Sequence, residues 1–247
     1  MSSRRLIDTL LPPLCIRCGR PLDEGRPFCV CPDCLATLET LQPPLCPRCS
    51  HPLSEFSPCC PDCHTLPPPL QSFTRILVLS PHFGLARTMV EALKYKGHTA
   101  LAPLLGQLLA RLLTDNLPPM ARPLLTPVPM DTLRIVQRGY NQAALLAQAI
   151  AEAGGFDLCL DALDRTPGMT ATGQKSRKAR LEALGRNIVP GRAGDTCVAD
   201  RLVVVVDDVV TTGATMAGCA MVLRTRGAAT VMGLALCRRV LSPLPGI

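Results

Sequence analysis

The chain reads as an α/β protein: a Rossmann-like, mostly parallel sheet flanked by helices, preceded by a small cysteine-rich module. Three observations predict this. Leu202 to Val206, LVVVV, is a continuous apolar run dominated by β-branched valine, the pattern of a strand buried on both faces. From Ser72 onward, apolar strand-like runs alternate with amphipathic helical stretches, the order that builds strand–helix–strand units. Before Leu66, four Cys-x-x-Cys pairs stand in a polar, proline-rich segment.

Composition narrows the classes. The 247 residues are 47% apolar, enough for a core, but only 3% aromatic, with no Trp, so that core is aliphatic. A stacking platform for single-stranded nucleic acid is poorly supplied on this count. Arg4 and Arg5 precede an apolar stretch, but Asp8 and Pro12-Pro13 interrupt it, so no secretory signal is legible. No stretch reaches membrane-spanning length. The expected location is the cytoplasm, without membrane insertion, where paired cysteines read as metal ligands rather than disulfides. The formal charge of +7 falls to about +3 once two four-thiolate zinc sites are allowed for.

The N-terminal segment is an internal repeat. PPLCIRCGRPL, Pro12 to Leu22, returns as PPLCPRCSHPL, Pro43 to Leu53, and each copy is followed by CPDC. Cys15 and Cys18 pair with Cys31 and Cys34 across 12 residues; Cys46 and Cys49 pair with Cys60 and Cys63 across 10. A two-residue gap lets one turn deliver two sulfurs to a tetrahedral ion, and these are zinc-ribbon spacings. Two structural zinc ions are expected, with no open coordination position. Consecutive and interleaved pairings both satisfy the spacing, and Cys29, Cys59 and His64 stand near as spare donors. So small a segment requires metal to fold. Leu66 to Leu70, LPPPL, is a stiff spacer, placing a double zinc-ribbon module at 1–66 and a second domain at 71–247.

In the second domain, Ser72 to Ser80 reads as a strand and Gly84 to Tyr95 as a helix with Leu85, Met89, Ala92 and Leu93 on one face. Lys94 and Lys96 fit either a cationic helix end or a phosphate contact. A leucine-rich helix follows over Ala100 to Asp115, then a strand over Leu124 to Val128. Pro129 to Gln137 reads as a loop, with a helix from Gly139 onward. Arg134, Arg138, Gly139, Tyr140, Asn141 and Gln142 cluster around that helix start, where arginine and backbone donors suit an anion. Leu158 to Leu163 reads as a strand. From Arg165 to Arg192 the chain carries seven basic residues and one acid, a segment expected to be mobile. Thr230 to Leu236 is the last strand. About ten residues follow it, which leaves the zinc module as the expected cover over any ligand.

The chemistry concentrates after the central strand. Asp207 and Asp208 are followed by Val209-Val210 and by Thr211-Thr212-Gly213-Ala214-Thr215, then a helix to Arg226. A strand, tight turn and helix N-terminus form an anion site; Gly213 permits close approach and threonine hydroxyls add donors. Two adjacent carboxylates beside an anion site make sense if the ligand also presents hydroxyls or a divalent cation, as a phosphorylated ribose with Mg²⁺ does.

Val203 to Thr215 resembles the phosphoribosyl pyrophosphate (PRPP) signature of type I phosphoribosyltransferases. TPVPMDTLRIVQRGYNQAALLA, Thr126 to Ala147, is similar to the ComF (competence protein F) family, with Arg138, Gly139, Asn141 and Gln142 on its pattern; Arg165, Thr166, Gln174, Arg180, Arg186 and Asn187 fit a later segment. The resemblance implies a type I phosphoribosyltransferase fold. It implies that Asp207 and Asp208 hold ribose hydroxyls and Mg²⁺, that Thr211, Thr212, Gly213, Ala214 and Thr215 cradle the 5′-phosphate, and that Arg138 and Gly139 face the pyrophosphate. The catalytic set would be Asp207, Asp208 and Arg138, with the basic segment as a lid. It implies a role in DNA uptake, with single-stranded DNA and other competence proteins as partners. A phosphoribosyl-transferring enzyme and a non-catalytic PRPP or nucleotide sensor are both compatible with these residues.

Overall fold

Each long strand of the main sheet is an apolar run whose successive residues enter two different cores. The computed structural model describes residues 13–22, 29–53, 58–64, 73–166 and 187–239. Two short helices, α1 (Pro32–Ala36) and α2 (Pro61–His64), belong to the cysteine-rich module. The rest runs β1 (Arg75–Pro81), α3 (Gly84–Tyr95), α4 (Ala102–Thr114), β2 (Leu124–Pro127), α5 (Thr132–Arg138), α6 (Gln142–Gly154), β3 (Asp157–Leu158), β4 (Leu163–Arg165), β5 (Ile188–Pro190), β6 (Leu202–Val210), α7 (Ala214–Thr225) and β7 (Thr230–Arg238). The five-stranded sheet has the order β1-β7-β6-β2-β3 with every pair parallel, and β4 and β5 form a small antiparallel pair. The expected mostly parallel sheet flanked by helices is therefore found.

The central strand shows why both faces must be covered. Val204 and Val206 join the core formed with α3, α4 and α6, while Val203 and Val205 join the core formed with α7. Period-two alternation delivers valines to both layers, which is why the run carries no polar interruption before Asp207. The strand continues through both acids to Val210, so they lie on regular extended backbone rather than in the turn.

Two expectations are corrected. Residues 129–137, read as a loop, contain α5. Asp131 caps it by accepting a hydrogen bond from the Leu133 amide at 2.9 Å, and Gly139, at φ 83°, ends it in the left-handed region. None of its residues is buried, so no apolar periodicity marked it as a helix. The strand read over 158–163 is instead split between β3 and β4, in different sheets. The 66–70 spacer and most of the basic segment, residues 167–186, lie outside the described residues.

The cysteine-rich module lies along the sheet edge. The Ile76 amide donates to the Arg48 carbonyl at 2.7 Å and the Leu41 amide to the Leu79 carbonyl at 3.0 Å. Ser50 Oγ donates to the Ile76 carbonyl and Ser80 Oγ to that of Glu39. These bonds occupy the polar groups that an open edge strand would leave free. Cys15, Cys31 and Cys34 enter the core on one face of β1, and Cys46, Cys49, Cys60 and Cys63 the core on the other. Arg238, the last residue of β7 and fully buried, donates through Nη1 to the Cys49 carbonyl at 2.9 Å.

Candidate functional site

Two four-cysteine groups form the first centre. The sulfurs of Cys15, Cys18, Cys31 and Cys34 lie within 4.8 Å of one another, as do those of Cys46, Cys49, Cys60 and Cys63. Tetrahedral Zn–S bonds of about 2.3 Å require sulfurs about 3.8 Å apart. Cys18 and Cys31 stand at 3.8 Å and Cys49 and Cys60 at 3.4 Å, so the donor sets fit zinc. The grouping is consecutive rather than interleaved, and Cys29, Cys59 and His64 belong to neither group. Arg20 donates from Nε to Cys18 Sγ and pairs with Asp33, holding the Cys18 thiol down at about 6. Four thiolates saturate each ion, which makes both sites structural.

The second centre sits at the carboxyl ends of the sheet strands, where parallel α/β sheets place ligands. Asp208 is buried; Asp207 is half-buried, and its Oδ1 accepts from the Asp208 amide at 2.8 Å. Burial, reinforced by the adjacent Asp208 charge, holds the Asp207 carboxyl well above the usual carboxylate range. Lys94, from the last turn of α3, brings Nζ to 2.6 Å from Asp208 Oδ2, with the two side chains only 18% and 5% exposed. A cation therefore already stands beside the acid pair.

The turn after the central strand joins β6, ending at Val210, to α7, beginning at Ala214. Gly213 is the N-cap of α7 at φ 81°, a conformation that L side chains rarely adopt. Thr212 Oγ1 accepts from the Ala214 amide at 3.4 Å. Val209 to Met216, with Asp207, enclose a small hollow of about 40 Å³.

A larger cavity of about 320 Å³ joins these parts. Asp207, Asp208 and Thr215 form one wall; Arg138, Asn141, Gln142 and Arg134 form another; Lys94, Tyr95 and Arg165 contribute from further elements. Arg138 Nη1 donates to Gln142 Oε1 at 3.0 Å, and its guanidinium stands 5.1 Å from the centre of the Tyr95 ring. Asn141 caps α6, accepting from the Ala143 amide, while its amide donates to the Val128 carbonyl. The two walls, at least 65 positions apart in the chain (Gln142 to Asp207), thus meet because β2 and β6 are neighbours that end on one rim of the sheet.

Not every expected residue lines this cavity. Gly139 ends α5 and is exposed, so its part is conformational. No described residue of the zinc module lines either hollow, because the module lies beyond β1, with β7 between it and the acid-bearing strand. The expectation that the module covers the ligand finds no support in this arrangement. Tyr95 was not foreseen; its only signal was a lone aromatic between two lysines at a helix end. Lys94 was read as a helix-end cation or phosphate contact, and the fold gives it a third part, as partner of Asp208.

A family model described as a double zinc ribbon domain matches residues 6–64. The DNA utilization protein YhgH of Escherichia coli O157:H7 is 34% identical over 186 residues, covering 72% of this chain and 77% of the relative. That of Salmonella typhi is 34% identical over 182 residues with the same coverage. Among solved structures, a hypoxanthine phosphoribosyltransferase from Staphylococcus aureus aligns with a TM-score of 0.38 at 15% identity, over 58% of this chain and 67% of that one. A glutamine PRPP amidotransferase from B. subtilis aligns with a TM-score of 0.36 at 23% identity, over 54% and 25%. Among the described residues no helix is long and apolar enough to cross a membrane.

Proposed function

The chain belongs to the ComF family, and from that premise we propose that it binds PRPP with Mg²⁺ and transfers its phosphoribosyl group in the service of DNA utilization. One observation carries the reading: a doubled acid and an arginine from a separate helix line one cavity, and the threonine–glycine turn lines an adjoining hollow that shares Asp207 and Thr215 with it. Thr211 to Thr215 receive the 5′-phosphate on backbone amides and hydroxyls at the start of α7. Asp207 and Asp208 accept from the ribose hydroxyls. Their oxygen donors also suit Mg²⁺; that ion would neutralise charge on the departing pyrophosphate.

In this reading Arg138 screens the pyrophosphate, held in line by its bond to Gln142. Lys94 keeps the acid pair from standing as uncompensated buried charge before ligand arrives, then turns its ammonium toward the pyrophosphate. The chemistry is positioning and electrostatics, with no covalent nucleophile on the protein. The catalytic set is Asp207, Asp208 and Arg138. The eight clustered cysteines hold two zinc ions whose work is to fold the module and close the sheet edge. The domain division at residues 66–71 remains part of this proposal, as does a cytoplasmic location.

Calorimetric titration of PRPP with Mg²⁺ tests the pocket. The chain carrying both Asp207→Asn and Asp208→Asn should show no binding; affinity equal to that of the native chain ends the reading. Pyrophosphate release across a panel of bases and amines then tests transfer. Binding without release on any acceptor assigns the chain instead to the sensing role.

A further inference from the structure

The two four-cysteine groups are not alike. In the second, Cys46, Cys49, Cys60 and Cys63 are each exposed by 3% or less. The fully buried Arg238 lies against that group, donating to the Cys49 carbonyl and, through Nε, to His51 Nδ1 at 3.2 Å. In the first, Cys15, Cys31 and Cys34 are buried in the core against β1, but Cys18 is exposed. Outside the sulfur cluster Cys18 meets Arg20, whose Nε donates to it at 3.5 Å and whose side chain is itself 60% exposed. One of the eight ligand residues is thus open to solvent while the other seven are buried.

That difference decides where an oxidant can act. A saturated zinc ion offers no position to substrate, yet its ligands are thiolates, the nucleophilic form of cysteine. Susceptibility to oxidation follows thiolate character and exposure, and the two coincide at Cys18. Cys31 Sγ stands 3.8 Å from Cys18 Sγ, so a short movement brings the pair to the disulfide length of about 2.05 Å. The first repeat can also loosen without detaching the module. The bonds to Ile76 come from Arg48 and Ser50 in the second repeat, and those to Leu79 and Ser80 from Leu41 and Glu39 between the repeats.

We propose that Cys18 is a peroxide-sensitive modification site whose oxidation dissolves the first four-cysteine centre and spares the second. The Cys18 thiolate attacks hydrogen peroxide, forming a sulfenic acid and releasing hydroxide. The Cys31 thiolate then attacks that sulfur, forming the disulfide and expelling a second hydroxide. The two sulfurs lose two electrons, the peroxide gains them, and solvent protons convert both hydroxides to water. Cys15 and Cys34 remain as two ligands, too few for a tetrahedral ion. The inference rests on zinc filling both groups and is independent of the PRPP reading.

The test treats the full-length, zinc-loaded chain with graded hydrogen peroxide, desalts it, counts zinc by elemental analysis and maps disulfides by mass spectrometry. Before treatment the chain should carry two zincs; fewer ends the zinc reading of the groups and this proposal with it. After treatment it should carry one, with Cys18 joined to Cys31 and the four cysteines of the second group still reduced. Dithiothreitol with added zinc should return the count to two. From two starting zincs, loss of both together, loss of neither, or loss with Cys18 still reduced overturns this proposal alone. Cys18→His keeps a zinc ligand that cannot form a disulfide, and should need at least about tenfold more peroxide for the same loss; loss at the native dose overturns the proposal. Cys59, half-buried beside the second group with its Sγ 3.5 Å from the Cys60 carbonyl, is the control. Cys59→Ser should lose one zinc at the native dose, and protection by it would make Cys59 the sensor instead. The disulfide map of the native chain decides the matter even where Cys18→His fails to load two zincs.

Discussion

Replacing Lys94 by methionine removes the only cation within ion-pair distance of Asp208 among the described residues, and the structure sets the size of the effect. The pair is close, at 2.6 Å, and both side chains are largely withdrawn from water. Removing one member of a buried ion pair costs about 3–5 kcal/mol, because the partner is left charged in a poorly solvating site. Lys94 keeps some exposure, which places Lys94→Met at the lower end, about 3 kcal/mol. With a urea slope of about 2 kcal/mol per molar, the unfolding midpoint should fall by about 1.5 M. Asp208→Asn alone should cost less, since the freed ammonium can swing toward water. The double variant Lys94→Met, Asp208→Asn should recover most of the loss, because neither charge is stranded. Urea unfolding of the zinc-loaded chain followed by circular dichroism reads all three. A single variant within about 0.5 kcal/mol of native, or a double variant no more stable than Lys94→Met, would refute the claim that Lys94 compensates a buried carboxylate.

Three further outcomes follow from the same geometry. The Asp207 carboxyl is raised above its unfolded range, so its contribution to stability is present below about pH 4 and is lost as pH rises through the raised value; millimolar Mg²⁺ should therefore raise the melting temperature more at about pH 8 than at about pH 5, and Asp207→Asn should abolish that difference. Gly213→Ala forces a side chain into the left-handed region with its Cβ 3.3 Å from Ile76 Cδ1, costing about 1–2 kcal/mol in thermal unfolding and at least about tenfold in PRPP affinity by calorimetry. Arg238→Met deletes the buried donor to the Cys49 carbonyl and should cost about 2–3 kcal/mol; a chromogenic chelator should then withdraw one zinc faster than the other, and equal release rates would show that Arg238 does not support the second site.

What the sequence determined by itself was local. The Cys-x-x-Cys repeat specified eight ligands because a tetrahedral ion needs two short sulfur pairs, and that requirement is written in spacing alone. The valine run announced a doubly covered strand, and Asp207 to Thr215 announced the cradle, because strand, turn and helix start are contiguous. The helix Gly84–Tyr95 was legible to the residue, since its apolar face has a 3.6-residue period. α5 was not legible, because a helix that buries nothing leaves no periodic trace.

What only the tertiary structure decided were the meetings of distant residues. Lys94 and Asp208 are 114 positions apart in the chain and 2.6 Å apart in space. Arg138 reaches the same cavity because β2 and β6 are neighbours whose carboxyl ends open on one rim. The described residues of the zinc module bond to the edge strand β1, two strands away from the acids, and none of them lines the hollows. Sequence patterns record which groups a segment offers to its own neighbours; which charges will face one another depends on strand order, and strand order is settled only when the sheet closes its hydrogen bonds and buries both faces.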